Sequence, residues 1–273
     1  VYLEKSGGKS IRRVVDMIQK KETTPWVSIV IPVYNHAETL YSCLMSVRKQ
    51  VYQHIEVIIV DDGSDIPISS DKQKIQSLGF ISVEEKGQEE NAQCFTMRIV
   101  RQKNAGAPAA RNAGFSYAKG EYILFLDADI ICRPDMVQKM VEALEEDASA
   151  SIAYSNFYFG KKKMPAQMFD THTLKKRNYI STMSLIRHKD FPGFDTTLSR
   201  FQDWDLWLTM AEKEKRGVWI DAYLFQAIPH AFGISTWLPR WAYDKPWKYI
   251  PGVRNKVRRF ERAKKIIENK HHL

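Results

Sequence analysis

Two apolar, β-branched runs that each stop at polar or acidic residues limit what this chain can become. WVSIVIPVY (26–34) and IEVIIV (55–60) are too continuously apolar to have a wet face, so both read as strands buried on both sides. Between them Leu40, Cys43, Leu44 and Val47 recur at helical spacing over residues 39–50. Strand, helix, strand in that order predicts a parallel pair joined by a right-handed crossover. The alternation continues. Residues 95–100 read as a third strand, and Pro108 and Gly120 bracket a helix over 107–119. YILFLDADI (122–130) is a fourth strand, and Met136, Val137, Met140 and Leu144 line one face of a helix over 134–146. Strands near 151–158 and 180–187 and a helix over 204–214 complete the expected elements, while ISVEEKGQEENAQ (81–93) is a polar, exposed insertion. Residues 1–25 are polar apart from Ile11, Val14, Val15 and Ile18, the spacing of a short amphipathic helix. Gly7-Gly8-Lys9-Ser10 mimics the end of a P-loop, but Leu3 stands where that motif needs glycine and no strand precedes it.

Composition removes the other classes. With 12% aromatic and 44% apolar residues the chain can build a core, which excludes disorder for most of its length. Thirteen Gly and three Cys exclude collagen-like and disulfide-scaffold chains. Cys43, Cys94 and Cys132 form no CxxC and read as reduced, packed thiols of a cytoplasmic protein. No apolar run approaches the ~18 residues that cross a bilayer, and the opening VYLEKSGGKSIRR has no leader-like apolar stretch.

The acidic residues at strand ends are the chemical signal. Asp61 and Asp62 follow the second strand, and Asp127 and Asp129 the fourth. In open α/β sheets ligands bind beyond the carboxyl ends of the strands. Acidic clusters there repel unless a cation joins them. Asp-x-Asp offers two hard oxygen ligands to Mg2+ or Mn2+, with water and substrate phosphates completing the shell.

Taken in order, five segments resemble glycosyltransferase family 2 on the GT-A fold: VSIVIPVYN (27–35), VIIVDDGSD (57–65), KNAGAPAARNAG (103–114), FLDADI (125–130) and GFDTTLSRFQDWDLWL (193–208). The resemblance spans about residues 26–232. It implies a Rossmann-like three-layer α/β/α sandwich with a mostly parallel, mixed central sheet. A donor half would cover 26–130 and an acceptor half 131–235, flanked by the 1–25 helical extension and a C-terminal extension over 236–273. It also implies an inverting transferase that uses a nucleotide-sugar, a UDP-sugar first, and a hydroxyl of a glycan, polysaccharide or lipid-linked acceptor.

Residue roles follow from the same resemblance. Tyr34 would stack on the base, Asp62 read its edge, Asp61 support that turn, and the backbone of Pro32 meet the base. Arg111 and the N-terminus of its helix would face the diphosphate. Asp127 and Asp129 would hold the metal, Asp127 beside the nucleotide, and His230 would approach it. Asp203 would be the general base. The family usually has Glu-Asp there, and this chain has Gln202-Asp203. Asp205 would support the following helix, and Trp204 would stack on an acceptor sugar.

The net charge is +9, and residues 240–273 carry +8 of it. Trp237, Trp241, Tyr243, Trp247 and Tyr249 precede a basic amphipathic pattern with Val253, Val257, Phe260 and Ile267 on one side. Such a tail fits a peripheral site at the inner face of an anionic membrane, or a helix packed on the catalytic domain with a solvated basic face. No recognition motif supports nucleic acid as a partner. Three alternatives remain. A sugar nucleotidyltransferase would need a Gly-rich, Arg-containing loop where Pro32-Val33-Tyr34-Asn35 stand. A processive synthase would need Gln-x-x-Arg-Trp, where this chain has Trp237 before Arg240-Trp241, and membrane spans. A nucleotide-sugar-binding module without turnover is kept open by Gln202.

Overall fold

The computed structural model describes residues 24–82, 95–229 and 253–273. In chain order the elements are β1 (Val27–Val33), α1 (Ala37–Arg48), β2 (Ile55–Asp61), α2 (Lys72–Gln76), β3 (Ile81–Ser82), β4 (Thr96–Arg101), α3 (Ala107–Phe115), β5 (Tyr122–Phe125), β6 (Ile130–Cys132), α4 (Met136–Glu146), β7 (Ala150–Phe159), β8 (Lys162–Met164), α5 (Thr171–Lys176), β9 (Leu185–Arg187), α6 (Gln202–Glu212), β10 (Arg216–Ala227) and α7 (Val253–Lys270).

The strands form one mixed sheet in the order β3-β4-β2-β1-β5-β9-β7-β10-β6, with β8 pairing β7. From β3 to β5 every pair is parallel. β9 runs antiparallel to both β5 and β7, and β10 is parallel to β7. So β1, β2, β4, β5, β7 and β10 all point their C-terminal ends at one edge, where the acidic residues lie.

Period-two alternation explains why β1 and β2 are apolar throughout. Ile29, Ile31, Val57 and Ile59 enter a core with Leu40 and Leu44 of α1 and Met136, Met140 and Leu144 of α4. Val30, Ile58 and Val60 enter a second core on the opposite face, with Ala110 of α3 and Trp204, Trp207 and Met210 of α6. The result is the expected α/β/α layering. Gly114 of α3 packs so closely on the sheet that a Cβ there would lie 2.3 Å from Val30 Cγ1. Cys43 and Cys132 are free, buried thiols, and burial pushes both up, Cys132 to about 12. Buried thiols with raised pKa values serve packing, not nucleophilic chemistry.

Three sequence expectations change. The strand expected over 122–130 breaks after Phe125: Ile130 N donates to Asp127 O across a turn, and the chain resumes as β6, antiparallel to β10. That turn presents Asp127 and Asp129 at the sheet edge. The strand expected over 180–187 shortens to Leu185–Arg187. Residues 216–227, unassigned in the sequence, form the long β10, whose bulges against β7 blur its alternation. Of the two placements the sequence left open for the tail, the described helix takes the packed one, with its apolar side on the body. Val257 and Ile267 are buried, and Phe260 meets Phe201 edge-on at 5.0 Å. Lys270 Nζ reaches Asp195 at 2.7 Å and Asp205 at 2.8 Å. These contacts hold the Asp195 carboxyl down to about 2, Lys270 first and Thr197 second. The side that would enter a membrane is thus spent on the protein. No helix among the described residues is long and apolar enough to cross a bilayer. The expected 1–25 helix, Cys94, the 236–252 aromatic stretch and most of the 81–93 insertion lie outside the described residues.

Candidate functional site

One end of the edge is built by loops after β1, β2 and β4. Tyr34, just past β1, is 46% exposed, and Pro32 within β1 is half-buried. Asn35 adopts φ 56° and ties the first loop to the second: its N donates to Ser64 Oγ at 3.0 Å, and its side chain exchanges bonds with Asp65. Asp61 is 1% exposed and accepts from Ser64 N, Ile68 N and Arg101 Nη1 at 2.8, 3.1 and 3.0 Å. Burial raises its pKa, and these donors more than reverse that, leaving it below the ordinary value. Asp61 therefore supports the turn, as expected.

Asp62 has a further job. Its oxygens accept from Gln102 Nε2 at 2.7 Å, Ala105 N at 2.9 Å and Gly106 N at 2.8 Å. It moors the loop that enters α3, where Gly106 takes φ +86° as the N-cap. A carboxylate has about four acceptor directions. Three are used here, so one remains open on a carboxylate that is 3% exposed.

Arg111 is the largest departure from expectation. It does not face outward to a diphosphate: it is 6% exposed, with its guanidinium 5.2 Å from the centre of the Phe194 ring. Nη2 donates to Asp127 Oδ1 at 2.7 Å and Nη1 to Gln202 Oε1 at 3.1 Å, while Nε is buried without a partner. The reason is local. Asn112 clamps both backbone groups of Phe194 at 2.8 Å, which draws the 193–202 segment over α3 and closes it on Arg111.

Asp203 sits in the first turn of α6, behind Phe201, the N-cap residue held at φ 58°. It is not itself the N-cap. Its Oδ2 accepts from Asn178 Nδ2 at 2.8 Å and its Oδ1 from Trp204 N at 2.9 Å. Burial pushes the Asp203 carboxyl above the ordinary value, against the Trp204 N–H, the Arg111 charge and the Asn178 amide. A carboxylate poised that way suits proton abstraction.

Trp204 is a correction. It is 2% exposed, and its Nε1 donates to Leu174 O at 2.7 Å, so it cannot stack on an acceptor sugar. Trp207 is equally buried, with Nε1 on Ile180 O at 3.0 Å. Together the two indoles rivet α6 to the 174–180 segment, which delivers Asn178 to Asp203. Asp205 is also buried, and receives Lys270 from the end of α7 and His271 just beyond it.

Asp127 and Asp129 are both partly exposed at the turn. Two hard carboxylates at a ligand-facing edge fit Mg2+ or Mn2+. Among the described residues no cluster of three His, Cys, Asp or Glu completes a protein cage, so water and substrate phosphates would fill the remaining positions. His230 lies outside the described residues.

A model of glycosyl transferase family 2 matches residues 28–206, which contain Tyr34, Asp61, Asp62, Arg111, Asp127, Asp129 and Asp203. The chain belongs to glycosyl transferase family 2. This family 2 chain is 33% identical over 133 residues to glycosyltransferase GlyG of Streptococcus pneumoniae, covering 48% of the chain and 39% of GlyG. It is 29% identical over 199 residues to the Escherichia coli UDP-Glc:alpha-D-GlcNAc-diphosphoundecaprenol beta-1,3-glucosyltransferase WfaP, covering 68% of the chain and 70% of WfaP. It spans less than half the length of several relatives, 31% for a Rickettsia felis glycosyltransferase. Among solved structures, Staphylococcus aureus TarS 1–349 in complex with UDP-GlcNAc aligns with TM-score 0.59 at 17% identity, over 76% of this chain and 60% of that one. The Pyrobaculum calidifontis mannosyltransferase PcManGT, in complex with GDP-Man and Mn2+, aligns with TM-score 0.56 at 16% identity, over 82% and 65%. Both share the GT-A fold with this family 2 chain.

Sequence reasoning missed Asn178, which no motif marks, and the Asn112 clamp, which lay inside a motif read for its neighbours. It also missed the bond that Gln202 makes. The Gln202 amide accepts from Arg111 and donates to Leu198 O at 3.0 Å. The change from Glu removes a charge and keeps the link to Arg111.

Proposed function

We propose that this chain is an inverting hexosyltransferase of polysaccharide or glycolipid synthesis, moving a sugar from a UDP-sugar to a hydroxyl of a lipid-linked or glycan acceptor. The observation that carries this reading is the chain Asp127–Arg111–Gln202 beside Asp203. One buried guanidinium joins a metal-type carboxylate to the turn that holds a carboxylate with a raised pKa. Donor and acceptor ends are thereby held in one rigid frame. The printed names of WfaP and of TarS with UDP-GlcNAc support UDP as the nucleotide, and WfaP supports a diphospholipid acceptor.

Tyr34 stacks on the base, Pro32 lines it and Asp62 reads its edge. Asp203 takes the proton of the acceptor hydroxyl. That oxygen bonds to the anomeric carbon as the bond from this carbon to the diphosphate oxygen breaks, and the nucleoside diphosphate leaves with the electron pair. Inversion follows from attack opposite the leaving group. A Mn2+ or Mg2+ on Asp127 and Asp129 would supply a Lewis acid for the charge gathering on the departing diphosphate. Residues 26–130 form the donor half and 131–235 the acceptor half, with the exposed Arg254, Arg258 and Arg262 of α7 available to anionic lipid.

The test is calorimetry with UDP and Mn2+, repeated in EDTA, together with Asp203→Asn. The variant binds UDP as wild type does and loses transfer by about 100-fold or more. Unchanged transfer removes Asp203 as the base, and binding that ignores EDTA removes the metal. UDP-sugar binding without turnover by the wild type would favour the binding-module reading that Gln202 keeps open.

A further inference from the structure

The segment that carries Gln202 and Asp203 begins and ends on one ammonium group. Lys270 Nζ, at the end of α7, lies 2.7 Å from Asp195 Oδ2 and 2.8 Å from Asp205 Oδ1. The chain from Asp195 to Asp205 is therefore a loop closed at its base by a residue distant in sequence. The other Asp195 oxygen accepts from Thr197 N at 2.9 Å and from Thr197 Oγ1 at 2.6 Å, which turns its partner oxygen to Lys270. One residue back, Phe194 is held by Asn112 of α3. The start of the loop is thus gripped by two elements at neighbouring residues.

The far end of the loop meets α7 twice more. Phe201 takes φ 58°, a left-handed conformation that bulky side chains rarely adopt. Such a conformation persists where its surroundings over-determine it. The Phe201 ring packs edge-on against Phe260 of α7 at 5.0 Å and against Trp204 at 5.8 Å. His271, 5% exposed, has Nε2 at 2.8 Å from Asp205 Oδ1 and Nδ1 at 2.7 Å from Glu212 Oε1. Asp205 and Glu212 are two turns apart on one face of α6, so the imidazole lies along that face. Asp203 stands two positions before Asp205, about 200° round the helix. Lys270 and His271 therefore grip α6 on a side turned away from Asp203, whose carboxylate meets Asn178.

Proton abstraction depends on where the base stands, and a misplacement of about 1 Å can cost about 100-fold. Tyr34, Asp62 and Asp127 are outside the loop that Lys270 closes, so donor binding does not depend on that closure in the same way. We infer that Lys270 is a positioning residue for the transfer step: by closing the Asp195–Asp205 loop it fixes Asp203 against the acceptor hydroxyl, with Phe260 and His271 supporting the same loop. The inference rests on the transferase reading above. It adds that α7, which lies beyond the residues 28–206 matched by the family model, sets the rate of the chemistry performed there.

The test uses the full chain with Lys270→Met, which keeps a long side chain and removes its charge, and Lys270→Arg, which restores the charge. The Lys270 side chain is 37% exposed, so both changes have room. Hydrogen exchange over residues 195–205 reads the closure directly. Transfer is followed with UDP-glucose or UDP-GlcNAc as donor and an alkyl-linked GlcNAc-diphosphate as acceptor, with folded enzyme counted by UDP titration. In Lys270→Met, kcat per folded molecule falls by about tenfold or more, while UDP affinity stays within about twofold of wild type. Exchange over 195–205 quickens in the same variant. Lys270→Arg returns kcat to within about threefold of wild type, since its guanidinium can still meet both carboxylates. In an Asp203→Asn background Lys270→Met costs less than about twofold more, because both changes act on one carboxylate. A merely structural lysine would lower the folded fraction and leave kcat per folded molecule unchanged. The inference is overturned if Lys270→Met keeps wild-type kcat, if its loss adds in full to that of Asp203→Asn, or if exchange over 195–205 is unaltered. No turnover of either donor by wild type would sink the transferase reading instead, and faster exchange in Lys270→Met would still show that Lys270 closes the loop.

Discussion

Asp61→Asn tests whether a fully bonded carboxylate holds the nucleotide turn. Asp61 Oδ1 accepts from Ser64 N, and Oδ2 from Ile68 N and Arg101 Nη1. Asparagine keeps one acceptor oxygen. Whichever way the amide turns, either Ser64 N–H or the Ile68 and Arg101 donors meet an NH2 group. One buried donor left unpaired costs about 1–3 kcal/mol. The Arg101 pair adds little, because Arg101 is 45% exposed and screened by water. The expected loss is about 2–3 kcal/mol at pH 7, read from urea unfolding. The pH dependence has a definite sign. The folded pKa lies below the ordinary 3.8 because the donors outweigh burial, so the unfolded chain protonates first as pH falls. The carboxylate's contribution is complete above about pH 4 and is lost as pH falls through the folded value. The gap between wild type and variant therefore narrows only in that acid window. A gap under about 0.5 kcal/mol at pH 7, or one that stays constant down to pH 3, would refute the argument.

Two further outcomes follow from other parts of the frame. Asn178→Ala removes a donor that favours ionised Asp203, so the acid limb of the kcat/KM profile moves to higher pH while UDP affinity is unchanged; an unmoved limb would mean that Asp203 is not the titrating base. Ile267→Ala empties a fully buried site where α7 meets the body and should cost about 2–5 kcal/mol in a urea melt, whereas a loss below 1 kcal/mol would mean that α7 adds little to the fold.

Much of this protein was legible before any coordinate. Continuous β-branched runs can only be strands covered on both faces, and Val30 lying opposite Ile29 and Ile31 in separate cores is the physical content of that pattern. Carboxylates at the ends of parallel strands fall at one edge, so topology alone puts Asp61, Asp62, Asp127 and Asp129 on the same edge of the sheet. The partners of each side chain were not legible. Arg111 turned inward because Asn112 grips Phe194, 82 residues away, and no local spacing encodes that clamp. Trp204 became a rivet because its indole N–H met Leu174 O. The tail's apolar stripe read equally well as membrane-facing or core-facing, since amphipathicity states that a face is buried and not against what. Periodicity fixes which residues must leave water, because burial is a property of each residue and its neighbours in sequence. Which groups meet after burial is a property of the whole packed arrangement, and only the tertiary structure decides it.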